Sequence, residues 1–324
     1  MRRTALRILL CSVTVIAFIF VFLFSALAIV FRGPSEAARD LAVSTVMETS
    51  ALKVLARTFF SDDKIGEIIR ANTARIPISE TDTSQIKLPS TGDGFDKNAI
   101  TIEDVKGDTF VGKMMIVNDP SRIYVYSCPN FSINTTGLRL MEMIEETGAV
   151  AGINGGGFYD ANGMGSGGMP LGIVIQNGEV LQGTSSSSDI VIGFDGDHKL
   201  HVGAMNTAEA RDRNLKEALS FGPALVINGE RVPSRGWGGG LNPRTAIGQR
   251  ADGSVLMLVI DGRQPSSLGA TYSDLADIMV EYGAVNAGNL DGGSSSVLVH
   301  EGKIINKISR IIGERPLPTA FLVR

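Results

Sequence analysis

Cysteine is almost missing from this chain: 324 residues hold 2, Cys11 and Cys128. Cys11 lies in a long apolar run near the N-terminus, so the rest of the chain has one thiol and no internal disulfide to draw on. A packed core must stabilise it, and roughly 290 residues are enough to build one. Histidine is scarce too. His198, His201 and His300 have no ligand spacing with cysteine or carboxylates, so the sequence carries no zinc signature. Basic runs are absent beyond the N-terminal arginines, and 30 Lys+Arg against 34 Asp+Glu leave a net charge of −4. Nucleic acid is therefore not an expected partner. No Gly-Lys-Ser/Thr follows the glycines at 155–157, which rules out a P-loop, and no Gly-x-Ser-x-Gly elbow surrounds Ser294.

What is present begins with Met-Arg-Arg-Thr-Ala-Leu-Arg7, followed by Ile8 to Phe31 without a charge. That run exceeds the ~20 apolar residues a bilayer crossing needs and the ~7–15 of a signal-peptide core. Arg2, Arg3 and Arg7 precede it, so the positive-inside rule predicts a cytoplasmic N-terminus and an external body. A cleaved signal ending near Ser25-Ala-Leu-Ala28 is the rival reading, and it exports the body equally.

The expected organisation is a tail over 1–7, a transmembrane anchor over 8–31, a helical stalk over 32–75, a linker over 76–96 and one domain over 97–324. The stalk carries Leu41, Val46, Leu52 and Phe59 among good helix formers, with a new N-cap at Ser61. Such a segment can pair with a second copy, so a homo-oligomer is an allowed assembly. From Lys97 the texture turns to short β-like runs, among them Lys113–Val117, Arg122–Tyr126, Ala224–Ile227 and Val255–Ile260. Asn-Gly at 177 and 228 and Glu-Gly at 301 sit between such runs in the manner of two-residue hairpins. Helices are predicted over 137–146 and 272–282. The sum is an α+β domain, a mixed β-sheet with flanking helices.

The 38 glycines cluster at 152–172, 236–240 and 283–293, where chemistry-bearing residues also collect. Ile153-Asn-Gly-Gly-Gly-Phe-Tyr-Asp160 can turn backbone amides toward an anion, or simply make a wide turn. Asn242-Pro-Arg-Thr-Ala-Ile-Gly248 starts a strand at a guanidinium suited to bidentate recognition of phosphate or carboxylate. Val259-Ile-Asp-Gly-Arg263 ends an apolar strand in a carboxylate and a guanidinium, a ligand-holding pair or a structural ion pair. Trp237, the single Trp, lies among glycines at 236–240, where its ring could stack on a sugar. Leu290-Asp-Gly-Gly-Ser-Ser-Ser296 places one carboxylate between two apparent strands. The surroundings of Asn154 and Asp291 resemble each other, as Gly-Ala-Val followed by a polar residue and Gly-Gly. A genuine repeat would set the two across one cleft.

Taken in order, these motifs, with Phe221-Gly-Pro-Ala-Leu225 and Arg315-Pro-Leu-Pro-Thr-Ala320, resemble the phosphodiester glycosidase family over about Val111 to Arg324. The resemblance implies a hydrolase that cuts the C1–O bond of a glycosyl-1-phosphodiester, with an N-acetylglucosamine-like sugar, releasing sugar and a phosphomonoester. It implies that Arg244 and Arg263, with Arg315 as a further candidate, hold phosphate beside Thr245 and Ser294. Asp291 would stabilise or attack the anomeric carbon or activate water, and Asp261 would orient or serve as the second acid–base group. Asn154 and the amides of Gly155, Gly156 and Gly157 would bind sugar hydroxyls or phosphate oxygens. No cofactor is expected, and the sequence leaves a divalent cation open. The alternative is a non-catalytic module holding phosphorylated cell-wall or exopolysaccharide glycans in the cell envelope. Such a module would keep the arginines and Trp237 without needing both Asp261 and Asp291.

Overall fold

The structure is a computed structural model that describes residues 2–49, 52–73, 81–88, 95–161, 165–310 and 313–324. Much of the expected linker, 76–80 and 89–94, lies outside the described residues. Helix α1 (Arg2–Arg32) contains an apolar stretch, Leu6–Arg32, long enough to cross a bilayer. It stops at Gly33-Pro34, since a proline cannot extend the ladder of a helix preceding it. Ser35 then caps α2 (Glu36–Met47), α3 covers Lys53–Phe59, and Ser61 caps α4 (Asp62–Ala71) with two aspartates in its first turn.

The expected stalk is therefore not a rod. Phe31 of α1, Val43 and Val46 of α2, Phe59 of α3 and Ile65 and Ile68 of α4 share one buried cluster. The Phe59 ring stacks on Phe31 and Phe24, with centroids 5.0 and 5.9 Å apart. Short helices are marginal alone, so burial of these apolar faces holds the unit together. It folds against the end of α1 and docks on the body, where the amide of Arg235 donates to the Thr73 carbonyl at 2.9 Å.

The body starts with β1 (Ile100–Lys106), β2 (Val111–Val117) and β3 (Ile123–Ser127), then α5 (Leu140–Thr147) and β4 (Ala151–Asn154). Next come β5 (Val174–Gln176), β6 (Glu179–Gln182), β7 (Asp189–Asp195), β8 (Leu200–Met205), α6 (Thr207–Asp212) and β9 (Leu215–Ser220). The last third holds β10 (Ala224–Ile227), β11 (Glu230–Arg231), β12 (Arg244–Arg250), β13 (Val255–Ile260), α7 (Tyr272–Glu281) and β14 (Ala284–Leu290). It ends with β15 (Leu298–His300), β16 (Lys303–Ile304) and β17 (Thr319–Val323).

These strands form a seven-stranded sheet, β1-β2-β13-β12-β14-β10-β11, and two five-stranded sheets, β16-β15-β4-β17-β3 and β6-β5-β9-β7-β8. The three hairpins stand where the sequence puts them. Asn177-Gly178, Asn228-Gly229 and Glu301-Gly302 all have positive φ at both turn positions, as the right-handed strand twist demands. Strand β13 shows why one run reads as uniformly apolar. Val255, Met257 and Val259 enter the core between the sheets, while Leu256, Leu258 and Ile260 pack under Leu275 and Met279 of α7. With both faces covered, the strand's alternation has no polar side.

Candidate active site

The register of the large sheet gathers the chemistry at one end. Arg244, where β12 begins, stands opposite Ile260, where β13 finishes, and Thr245 stands opposite Leu290, where β14 finishes. Asp261 and Asp291 therefore follow on either side of Arg244. Beside them opens a cavity of about 370 Å3, lined by Asp291, Arg244, Arg263, Arg315, Ser294, Asp160, Tyr272 and Glu48 among others. That volume suits a small polar ligand.

Asp291 is held from behind. Its carbonyl accepts from the Asn154 amide at 2.6 Å, and its own N–H donates to the Gly155 carbonyl at 3.2 Å. Asn154 Oδ1 in turn accepts from the Thr245 hydroxyl at 2.7 Å and the Val297 N–H at 3.1 Å. The ends of β4 and β14 thus meet, but with Asn154 buried behind Asp291 rather than facing it across a cleft. The Asp291 carboxyl looks the other way, into the cavity, and accepts from the Gly292 N–H at 3.0 Å. Burial pushes its pKa up to about 6, although the Ser295 hydroxyl, Arg315 and the Gly292 amide pull it partly back. The two glycines after it have separate reasons. A Cβ on Gly292 would stand 2.8 Å from the Pro243 carbonyl, and Gly293 has φ +63° with the Arg263 guanidinium against it.

Three guanidiniums face the cavity in different electrostatic states. Arg244 is buried and stacked 3.8 Å over the Tyr272 ring. It donates to the carbonyls of Ala270 and Gly240 and pairs with Glu48 at 2.7 Å. Arg315 stacks on Phe158 and pairs with Asp160 at 2.5 Å. Arg263 has no carboxylate in ion-pair contact among the described residues; its Nε and Nη2 donate to Asn242 Oδ1 at 3.2 and 2.9 Å. Burial and the nearby Arg244 push its pKa down from the ordinary arginine value. Its backbone is left-handed, φ +58°, a conformation that turns a bulky side chain at some cost and marks functional positions. Arg263 is the cation with charge to spare.

Residues 147–324 match the family model described as phosphodiester glycosidase. The chain belongs to the phosphodiester glycosidase family. A relative from Bacillus subtilis (strain 168), an SPbeta prophage-derived uncharacterized protein, is 31% identical over 180 residues, covering 52% of this chain and 27% of its own. The chain thus spans about a quarter of that curated relative. Among solved structures, the catalytic domain of zebrafish N-acetylglucosamine-1-phosphodiester alpha-N-acetylglucosaminidase, described as auto-inhibited by its pro-peptide, matches with a TM-score of 0.61 at 18% identity, over 78% of this chain and 96% of that one. A hypothetical protein from Synechocystis matches with a TM-score of 0.50 at 17% identity, over 69% and 62% of the two chains. These likenesses show the fold, and the α+β expectation stands.

Several expected site residues of this glycosidase-family chain stand elsewhere. Asp261 is buried outside the cavity lining, where its Oδ1 accepts from the Lys307 N–H at 2.9 Å and the Asn306 amide at 3.3 Å. Its position supports a tether for residues 305–307 rather than a second acid–base group. The amides of Gly155, Gly156 and Gly157 donate to the Thr319 carbonyl, the Thr319 hydroxyl and the Ser220 carbonyl, so none is free for an anion. A Cβ at those glycines would meet Thr319, Ser220 and the Phe221 ring, which makes the run a packing seam. Asn154 and Thr245 are fully buried behind Asp291 and do not line this cavity.

Trp237 is 40% exposed and also lies off the cavity; its Nε1 donates to the Ala37 carbonyl of α2. The surrounding glycines let the helical unit approach, since a Cβ on Gly236 would stand 2.1 Å from the Asn72 amide and one on Gly240 2.3 Å from the Thr45 backbone. Sequence reasoning missed Glu48, Asp160, Asn242 and Tyr272. Of these Asn242 and Asp160 carried a signal, Asn242 two residues before Arg244 and Asp160 at the end of the Ile153–Asp160 motif, both already singled out.

Proposed function

We propose that this protein hydrolyses the C1–O bond of a glycosyl-1-phosphodiester, with an N-acetylglucosamine-like sugar, to free sugar and a phosphomonoester. One observation carries the reading: the Asp291 carboxyl and the Arg263 guanidinium, which has no carboxylate partner among the described residues, open into the same cavity. The bond to be broken separates a carbon that becomes positive from an oxygen that becomes negative. Such a transition state is stabilised by a carboxylate at the sugar and preorganised cations at the phosphate. Asp291 supplies the first once ionised. Arg263 supplies the second, with Arg315 and the Ser294 hydroxyl beside it and Arg244 as the buried floor. The electron pair of the C1–O bond passes to a phosphate oxygen. Phosphate leaves more readily than an alcohol, so the step asks little of a general acid.

The same reading anchors the chain through residues 8–31, with Arg2, Arg3 and Arg7 inside and the catalytic body outside the cell membrane. The zebrafish enzyme's printed activity supports the choice of bond and sugar, and the family supports the class of reaction.

The test is turnover of N-acetylglucosamine-1-phospho-methanol in water enriched in oxygen-18. The expected products are sugar carrying the label at C1 and unlabelled methyl phosphate. Label in the phosphate, or release of sugar 1-phosphate, would show a phosphodiesterase instead. Binding without release would show a glycan-holding module.

A further inference from the structure

Glu48 lies outside the residues matched by the family model and enters the cavity from the end of α2. Its Oε1 accepts from the Gly240 N–H at 2.8 Å, and its Oε2 accepts from the Asn242 amide at 2.9 Å and from Arg244 at 2.7 Å. Asn242 then accepts from Arg263 with its other amide atom, so one side chain links Glu48 to the unpaired guanidinium. The side chain of Glu48 remains 31% exposed, open to whatever the cavity holds.

The charges facing this carboxylate can be counted. Arg244, Arg263 and Arg315 line the cavity with Glu48, Asp160 and Asp291, and the Tyr272 ring lies against Arg244. Two guanidiniums are matched, Arg244 by Glu48 and Arg315 by Asp160, which leaves Arg263. While Asp291 holds its proton the site offers one uncompensated positive charge, and once it ionises the three guanidiniums and three carboxylates sum to zero. In neither state is a second negative charge on the ligand matched. A phosphodiester carries one negative charge, whereas a phosphomonoester carries up to two above its second pKa of ~6. The second charge would stand near the Glu48 carboxylate in a site withdrawn from bulk water, where like charges repel strongly.

We propose that Glu48 is a charge filter, a specificity-determining residue that admits phosphodiesters and turns phosphomonoesters away. The inference rests on reading the cavity as a phosphodiester site, and it gives that site a direction: the substrate fits the charge and the phosphomonoester product does not. The reaction that supplies the substrate must then be one that joins a sugar 1-phosphate to an alcohol.

Dimethyl phosphate and methyl phosphate test it, since neither contains a glycosidic bond and neither can be turned over by a glycosidase. Full-length protein in detergent should bind dimethyl phosphate the more tightly at pH 7.5, by calorimetric titration. The preference should shrink about tenfold at pH 5, where methyl phosphate is mainly monoanionic. Ionisation of Asp291 over the same range also weighs more on a dianion than on a monoanion, so the pH arm reads the charge of the whole site and the Glu48→Gln arm isolates the share of Glu48. Glu48→Gln keeps one acceptor oxygen, enough for Arg244 or for Gly240 but not both, and should shrink the ratio at pH 7.5 by a similar factor. A folded Glu48→Gln with an unchanged ratio overturns the filter, as does a wild-type ratio that ignores pH, which needs no variant. Equal tightening of both ligands also overturns it, because Glu48 would then merely compete for the anion position. If neither ligand binds, the phosphodiester reading falls together with the filter. A ratio that behaves as expected beside an uncleaved sugar phosphodiester would instead leave the filter and remove the proposed reaction.

Discussion

At one end of the seven-stranded sheet, β13 and β14 both leave an apolar run through Asp-Gly, and their carboxylates meet opposite surroundings. After β13 the Asp261 carboxyl turns to the Asn306 amide and the Lys307 N–H, and the chain then bends through a left-handed Arg263 that points its guanidinium into the cavity. After β14 the Asp291 backbone is the part held by neighbours, and the carboxyl itself is turned to the cavity. Each strand end thus delivers one charged group to the site and spends the rest of its motif on support. Position at a strand end does not assign a catalytic role. What assigns it is which atoms already have partners.

The sharpest way to break this contrast is Asp291→Asn. If the carboxylate is the group that meets the anomeric carbon, kcat should fall about 10^3-fold or more. The fold should gain. The Asp291 pKa of about 6 lies above the ordinary carboxylate value of 3.8, so the folded state holds its proton more tightly than the unfolded state. Wild-type stability therefore declines as pH rises from about 4 to about 6, and the full cost is present at pH 7. Asn carries no such cost, so Tm at pH 7 should rise by the equivalent of about 3 kcal/mol and converge with wild type at pH 4. A loss of both activity and stability would show a structural role. On the same basis, wild-type kcat/KM should climb as pH passes through about 6 and then level.

Arg263→Ala comes next, with an expected loss in kcat/KM of about 10^2-fold, and Arg263→Lys should restore only part of it, because the fork on Asn242 is planar. Arg244 is a weaker choice for this comparison, since removing it strands Glu48 and confounds binding with packing. Asp261→Ala is the counterpart of Asp291→Asn with the signs exchanged. It should cost about 1–3 kcal/mol of stability by orphaning the Lys307 amide, while kcat on folded protein changes by less than about threefold. A hundredfold fall in kcat with unchanged Tm would restore Asp261 as the second acid–base group.

The sequence-level reading reached the strands, the hairpins and the convergence of Arg244, Arg263, Asp291, Ser294 and Arg315, because each leaves a local mark. Apolar runs end in a charge, and turn residues sit at fixed offsets. It did not reach Glu48, because a glutamate near a helix end looks like any solvated charge until tertiary packing brings α2 onto β12. It misread two glycine clusters for a related reason. Glycine announces that something approaches the backbone closely, and the pattern is the same whether a ligand or another piece of chain arrives. At 155–157 the visitors are Thr319, Ser220 and Phe221; at 236 and 240 they are Asn72 and Thr45.

The smallest expected effect tests that last distinction. Trp237 bonds Ala37 through its indole and Asn72 through its backbone, both in the helical unit, and stays clear of the cavity. Trp237→Ala keeps the backbone bond and removes the indole contact, so kcat/KM toward a sugar phosphodiester should hold within about twofold, and stability should drop by about 1 kcal/mol or less. The change should instead appear as faster amide hydrogen exchange in α2 and α4, because the unit loses one of its attachments. A tenfold rise in KM at constant kcat would mean that the indole does stack on the sugar. The glycines around it would then be serving ligand and helix alike, and the contrast between approach by chain and approach by substrate would fail at this loop.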